Sequence, residues 1–329
     1  MIQIGYTQAS VDTFRISLKK IKEDTSKVNQ MVIYARSILY IDPPAALSYC
    51  NEAMDLAEKI NYDYGIANTY RLAGAYNNDI AGDYNKAGEF FNKALAIYKS
   101  SHNVRFTEGK GATLHSIGAM HQRTGDYLKA IEFYMDGAKV LDSIHNKTIL
   151  PKTYNNLSTL YSFIKLTDKA EFYGRLAVEK AKEIQDMHIV SVASVTLSDA
   201  LMHQGKYEEA FKFIKQADSL SLLRNDIYIQ TLASYNYSTY FHFYKKDFNQ
   251  SVIYARKAYE QSLKLQNPFE ITRTSINLSE HLLHAGNIAE SWKFAVSGLE
   301  NSQELQSTDL IQRSHYLMGT ILMKRGIIN

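Results

Sequence analysis

One cysteine, four prolines and one tryptophan in 329 residues leave the chain short of the residues that most often carry chemistry or interrupt helices. With Cys50 alone no intrachain disulfide can form, and its place among apolar positions of a predicted helix reads as core packing rather than as a reactive thiol. No apolar run approaches the roughly 18 residues that a membrane span requires. An excess of one charge is also missing: 37 Lys and Arg face 34 Asp and Glu, a formal +3, with no run of five or six basic residues. A nucleic-acid face needs clustered charge, so no nucleic-acid partner is expected for this region. Phosphate-cradling GxxxxGK(S/T), HExxH, CxxC and EF-hand loops are all missing.

The ten histidines are dispersed. His281 and His284 stand three apart on a predicted helix, a spacing that can share a metal, but the adjacent carboxylate of Glu280 points to another face. His115 and His121, six apart, lie nearly opposite on their helix. No Ser–His–Asp or Cys–His set can be built from residues so scattered. We therefore expect no catalysis, no metal and no cofactor.

What the chain does have is 45% hydrophobic and 22% charged residues, enough to bury a core and unlike a disordered composition. Strand signals are missing throughout, and helix signals recur. Small residues stand at Ala46, Ala87, Ala130, Ala170, Ala210, Ser251 and Ser291, at intervals of 41, 43, 40, 40, 41 and 40. Seven residues after each stands another: Ala53, Ala94, Gly137, Ala177, Ala217, Ala258 and Gly298. Seven residues is two helical turns, so both lie on one stripe where a neighbouring helix can approach closely. A larger group such as Phe91, Tyr134 or Ile214 sits between them.

Gly82, Gly125, Gly205 and Gly286 precede the first small residue by five, where glycine in the left-handed conformation stops a helix. Asp83, Asp126 and Asn287 can then cap the next helix. Twelve residues before the small residue lie Gly118, Ser158, Ser198, Thr239 and Ser279 on a partner helix. Pro43, Pro44, Pro151 and Pro268 all fall at predicted helix starts, where proline is tolerated. Many of the 24 tyrosines, among them Tyr84, Tyr127, Tyr134, Tyr161 and Tyr207, occupy repeat positions and read as packing.

The stretch LHSIGAMHQRTGDYLKAIEFYMDGA (Leu114–Ala138) resembles the tetratricopeptide repeat, with its Leu-Gly, Gly-x-Tyr and Ala-aromatic-Ala pattern. The resemblance covers about residues 27–326. Lys165 and Thr167 depart from the Gly and Tyr of the pattern, Lys246 replaces a glycine, and Tyr76 stands two residues early. The period of about 40 exceeds the common 34. The long period and the opening helices look like the long-repeat regions of Bacteroidetes signalling proteins.

The resemblance implies an all-α, right-handed α-α superhelix, a solenoid of about seven helix pairs with an extra N-terminal helix and an unpaired C-terminal one. We parse 1–9 as a frayed start or the tail of a signal peptide, 10–26 as a capping helix, 27–306 as seven units, and 307–329 as the first helix of an incomplete eighth. The array stops in mid-repeat, which leads us to expect a longer parent protein. Met318, Ile321 and Leu322 would make a poor polar cap, so the last helix offers a surface for an oligomer.

By the same resemblance the concave face is lined by the first helix of each pair. Register then gives Tyr76 and Asp79; His115, Ala119 and Arg123; Lys152, Asn155 and Thr159; Asp199 and His203; Tyr240 and Tyr244; Glu280 and His284. Arg123, Lys152 and Asn155, in adjacent units, have the chemistry to hold a carboxylate. The implied function is a non-catalytic protein- or peptide-binding scaffold, the sensory or interaction region of a bacterial signalling protein. A cytoplasmic peptide-pheromone receptor or phosphatase-type regulator is the alternative. For location the resemblance leans towards a periplasmic ectodomain over the cytoplasm.

Overall fold

Aspartate and asparagine open most of the helices, and residues in the left-handed conformation close them. The computed structural model describes residue 18 and residues 21–327. The expected start at 1–9, most of the 10–26 helix and the last two residues lie outside that range. Among the described residues there are fifteen α-helices and no strand. The chain divides into two compact units, to Leu160 and from Tyr161.

The first unit holds α1 (Thr25–Ile38), α2 (Pro43–Lys59), α3 (Asp63–Tyr76), α4 (Tyr84–Tyr98), α5 (Val104–Arg123), α6 (Tyr127–Ser143) and most of α7 (Leu150–Phe163). The second holds α8 (Thr167–Glu183), α9 (Met187–His203), α10 (Tyr207–Leu223), α11 (Ile227–Tyr240), α12 (Phe248–Leu265), α13 (Pro268–His284), α14 (Ile288–Glu304) and α15 (Thr308–Lys324). Turns of a few residues make consecutive helices antiparallel neighbours. In the first unit α1 packs on α2, α3 on α4 and α5 on α6, while α1, α3 and α5 also touch in succession. In the second, α9, α11, α13 and α15 form the equivalent inner row.

Local chemistry explains the boundaries. Asp83 accepts the Lys86 N–H at 3.0 Å and Asp126 that of Lys129 at 3.3 Å, as the sequence predicts. Asn287 occupies the third expected cap, but its side chain makes no capping bond. Gly82, Gly125, Gly205 and Gly286 take φ between 68° and 85°. Lys165 (φ 61°) and Lys246 (φ 53°) adopt the same conformation where the pattern lost its glycine. The prolines stand in the first turns of α2, α7 and α13.

The small-residue stripe is fully buried, from Ala46 (1% exposed) to Ser291 (0%). The large residue between the small ones fits a notch on the partner helix. A Cβ at Gly118 would stand 2.8 Å from Cδ1 of Tyr134, and one at Gly74 would stand 2.6 Å from Cδ1 of Phe91. Where serine replaces glycine and alanine, hydroxyls pair instead: Ser279 Oγ donates to the Ser291 carbonyl at 2.7 Å, and Ser291 Oγ donates back to that of Ser279 at 2.8 Å.

Two first helices end differently. α3 runs into a π-helical turn, Asn77–Ala81, and α11 into another, Phe241–Lys245. A π turn holds one extra residue. In these two repeats the notch residue therefore stands thirteen, not twelve, before the small one: Gly74 before Ala87, and Ser238 before Ser251. Thr239, expected from register, is half-buried, and Ser238 is the buried residue.

α15, the last helix, keeps part of its apolar stripe covered. Leu310, Leu317 and Ile321 are buried, and Met318 packs with them against the core of the preceding pair. The outward apolar residues of this segment are Tyr316, Met323 and Ile327. No helix of the described residues is long and apolar enough to cross a membrane.

Candidate functional site

In the first unit, first helices in succession bring two lines of polar side chains across the inner row. One line is closed by a carboxylate. The Tyr40 hydroxyl donates to Asp79, the Asn78 amide donates to it at 2.7 Å, and Arg123 pairs with it at 3.1 Å. Burial and then the bond to Asp79 push the Tyr40 phenol up to about 12. Asp79 and Arg123 are thus brought together as an ion pair. Of the expected clamp of Arg123, Lys152 and Asn155, the Arg123 guanidinium thus already has one carboxylate beside it.

About two turns towards the helix starts lies the other line. His115 Nδ1 is 2.8 Å from the Thr153 hydroxyl, which itself donates to the Ile149 carbonyl at 3.0 Å. With that hydrogen used, the imidazole must donate from Nδ1, so Nε2 carries the lone pair. Burial first, then the charges of Lys152 and Arg71, push His115 down to about 4, so it is neutral at pH 7. On the same helix as Thr153, Asn155 has a buried Oδ1 with no hydrogen-bond partner. Lys152 is exposed and makes no ion pair among the described residues.

Arg36 and Arg71, on α1 and α3, belong to this line and were not among the residues expected from register. The opening pair lacks the Gly-x-Tyr marker that carried register elsewhere. The available signal was the four-residue spacing of Arg36 and Tyr40, which places both on one face of α1 and the turn that follows it. Tyr76 turns inward, packed against the hydrophobic core of α1 and α2.

In the second unit the expected residues are scattered among separate contacts. Asp199 accepts from the Ser162 hydroxyl at 3.0 Å and lies 3.5 Å from His203, whose pKa it raises chiefly through their hydrogen bond. Tyr244 donates to Glu208 at 2.6 Å and stacks on Tyr207. Glu280 stands 4.0 Å from Arg313. Tyr240 is 3% exposed, stacked 4.4 Å from the ring of Phe211, so it lies in the core and not on the inner row. The reason is the π turn, which shifts register by one residue for everything on α11 before it. Tyr76, ahead of the other π turn, is displaced inward in the same way.

The spacing of His281 and His284 hides a different arrangement. His281 Nδ1 meets His242 Nδ1 at 3.0 Å, and Asn277 Nδ2 meets His281 Nε2 at 3.1 Å. Since the amide donates, His281 is protonated at Nδ1 and donates to His242. Burial holds His281 down at about 3 and His242 at about 4. Among the described residues no group of three His, Cys, Asp or Glu is arranged to hold a metal ion.

Helix hairpins of about 40 residues, joined by left-handed turns and packed through small residues, define a helical-repeat protein. Two stretches, 42–100 and 193–222, match models of the tetratricopeptide repeat, so the chain carries repeats of that type. No curated protein sequence matches it. Among solved structures it is similar to the apo form of RapI, at 12% identity and TM-score 0.67 over 85% of this chain and 99% of that one. It is also similar to NprR in complex with its cognate peptide NprX, at 12% and 0.68 over 92% and 85%. A third likeness is to a signal transduction ATPase with a tetratricopeptide repeat sensor from Pyrococcus horikoshii, at 13% and 0.67 over 98% of this chain and 47% of that one. Identities this low speak for the fold. No enzyme family is indicated.

Proposed function

We propose that the chain is a non-catalytic scaffold that binds a peptide or an extended protein segment on its inner row, as the sensory or interaction region of a bacterial signalling protein. The observation that carries the reading is Asn155. Its carboxamide stands on the inner row of the first unit with a buried Oδ1 that has no hydrogen-bond partner among the described residues. An unpaired buried acceptor costs about 1–3 kcal/mol, and a peptide N–H delivered along the row removes that penalty. His115 adds a second acceptor at Nε2. Support also comes from the likeness to NprR, which holds a cognate peptide, and to a chain whose tetratricopeptide repeats are described as a sensor.

The test is selection of binders from a random octapeptide library, followed by titration of the selected peptides against wild type and Asn155→Ala. Loss of affinity by about tenfold, equivalent to 1.4 kcal/mol, is expected for the variant. Failure to select any peptide, or equal affinity for both proteins, would overturn the reading. The cytoplasmic peptide-pheromone receptor is the second reading. The likeness to NprR, solved with its cognate peptide, is what supports it.

A further inference from the structure

We propose that the buried pair His242 and His281 is a proton-operated latch, holding the π turn at the end of α11 closed at neutral pH and releasing it in acid. The latch belongs to the second unit and does not depend on the peptide-binding reading. A chain of hydrogen bonds runs from α11 through α13 to the turn. Ser238 shares its hydroxyl hydrogen between the Tyr235 carbonyl at 2.6 Å and Asn277 Oδ1 at 3.1 Å. The Asn277 amide donates to His281 Nε2, and His281 Nδ1 donates to His242 Nδ1. Every link is buried, from Ser238 (0% exposed) to His242 (4%).

Direction makes the chain sensitive to protons. Its last acceptor is the lone pair of His242 Nδ1, and a proton there sets two N–H groups face to face across 3.0 Å. A proton on His281 Nε2 opposes the Asn277 amide in the same way, at 3.1 Å. The charged groups that act on the pair are Lys246 in the turn and His284 on α13, with no carboxylate among them. The Phe248 ring closes the α12 side, and Lys245 lies over the rings of Tyr240 and Tyr244. On the surrounding helices Asp247 caps α12 and Asp199 of α9 meets His203. Glu280 of α13 meets Arg313 of α15, and Glu290 of α14 pairs with Arg256 of α12. A buried cation in such surroundings is relieved by moving His242 into water. Lys246, Phe248 and His284 line an open cleft beside the pair, which gives the ring a way out. His242 is the second residue of the π turn, so the turn moves with it.

The other π turn, Asn77–Ala81, serves as a control within the same chain. Asn78 is second in that turn, in the place of His242, and donates to Asp79 at 2.7 Å. It closes on Gly82, whereas the acid-sensitive turn closes on Lys246, a non-glycine residue at φ 53°. Release of the second turn therefore also relieves a strained residue. What the release alters is the inner face of the second unit. Tyr244, in the turn, gives up its bond to Glu208 and its stack on Tyr207, and exposed Phe243 shifts with it.

Hydrogen exchange resolved to short segments, at pH 7.5 and pH 5 and normalised to free-chain rates, tests the latch. Each imidazole that becomes solvated should favour opening by roughly thirtyfold over this interval. Protection of 241–246 should fall by that factor or more, while 77–82 keeps its own. The opening should be insensitive to about 1 M urea, because a local release exposes little surface. In parallel, NMR of the imidazole carbons should show His242 and His281 titrating together, in one steep step of about two protons. His242→Asn copies the first π turn and keeps an acceptor that does not titrate, so its 241–246 segment should be indifferent to pH. Equal protection at both pH values, a urea-sensitive opening, two separate shallow titrations, or a response that survives in His242→Asn would each overturn the proposal. Should His242→Asn fail to fold, the wild-type titration and the contrast between the two turns still decide.

Discussion

At the scale of single residues, the turns show what a sequence pattern can and cannot carry. Glycine at 82, 125, 205 and 286 was legible because only glycine takes a left-handed conformation without penalty. The turns that lead from second helices to first were not. There the left-handed residue is Asn61, His145, Gln185, Asn225, Gln266 or Gln306, polar types that occur equally well inside helices. Lys165 and Lys246 carry the same strain, worth roughly 1–2 kcal/mol for a non-glycine residue. Lys165→Gly and Lys246→Gly should each stabilise the second unit by about 1 kcal/mol. Urea unfolding followed by the fluorescence of Trp292, the only tryptophan, reads this directly. A decrease in stability would show that the lysine side chains hold the turns by other means. At Gly118 the opposite applies. An added Cβ meets the Tyr134 ring at 2.8 Å, so Gly118→Ala should destabilise by about 1–3 kcal/mol, measured by circular dichroism melts.

At the scale of elements, helix starts and the small-residue stripe could be read from spacing alone, but the π turns could not. Both replace a seven-residue interval between notch and turn by eight, Gly74 to Gly82 and Ser238 to Lys246, and a one-residue difference is easily absorbed into a misjudged register. That error moved Tyr240 and Tyr76 onto the inner row when their rings pack inward. The turn at Phe241–Lys245 also carries His242 to His281, a contact invisible in the sequence because 39 residues separate them. Around the pair stand Asn277, His284, Phe248 and Lys246, and no carboxylate among the described residues raises either pKa. Unfolded imidazoles titrate near 6.5, while these remain unprotonated down to about 4 and about 3. Between those values the unfolded chain binds more protons, so stability falls as pH falls. The loss should amount to about 2 kcal/mol for each imidazole by pH 5. Urea unfolding at pH 7.5 and pH 5, read at Trp292, should show it, and His242→Phe should flatten the dependence. Equal stability at the two pH values would mean that the histidines are solvated in solution.

At the scale of the whole molecule, a repeat array has no single core, and each helix pair is stabilised mainly by its neighbours. This is why the fold was legible throughout while the site was not. Repetition averages out local errors in the fold, but the inner row is built from the positions where repeats differ. Asp79 with Arg123 and His115 with Thr153 each join residues from two repeats, and no pattern within one repeat reports them. The same one-dimensional logic makes a prediction about ligand binding. A ligand at 100 times its Kd adds about 2.7 kcal/mol to the state that binds it. In an array that stabilisation spreads only through neighbouring interfaces. A peptide held by His115 and Asn155 should therefore slow hydrogen exchange in α5 and α7, and in the helices packed beside them, α3 among these. Exchange in α13, α14 and α15 should keep its unliganded rates. The measurement is peptide-resolved hydrogen exchange with and without a selected octapeptide. Protection of α13 to α15 as strong as that of α3 would mean that the chain responds to its ligand as one cooperative body. Protection confined to the second unit would place the peptide on other residues altogether.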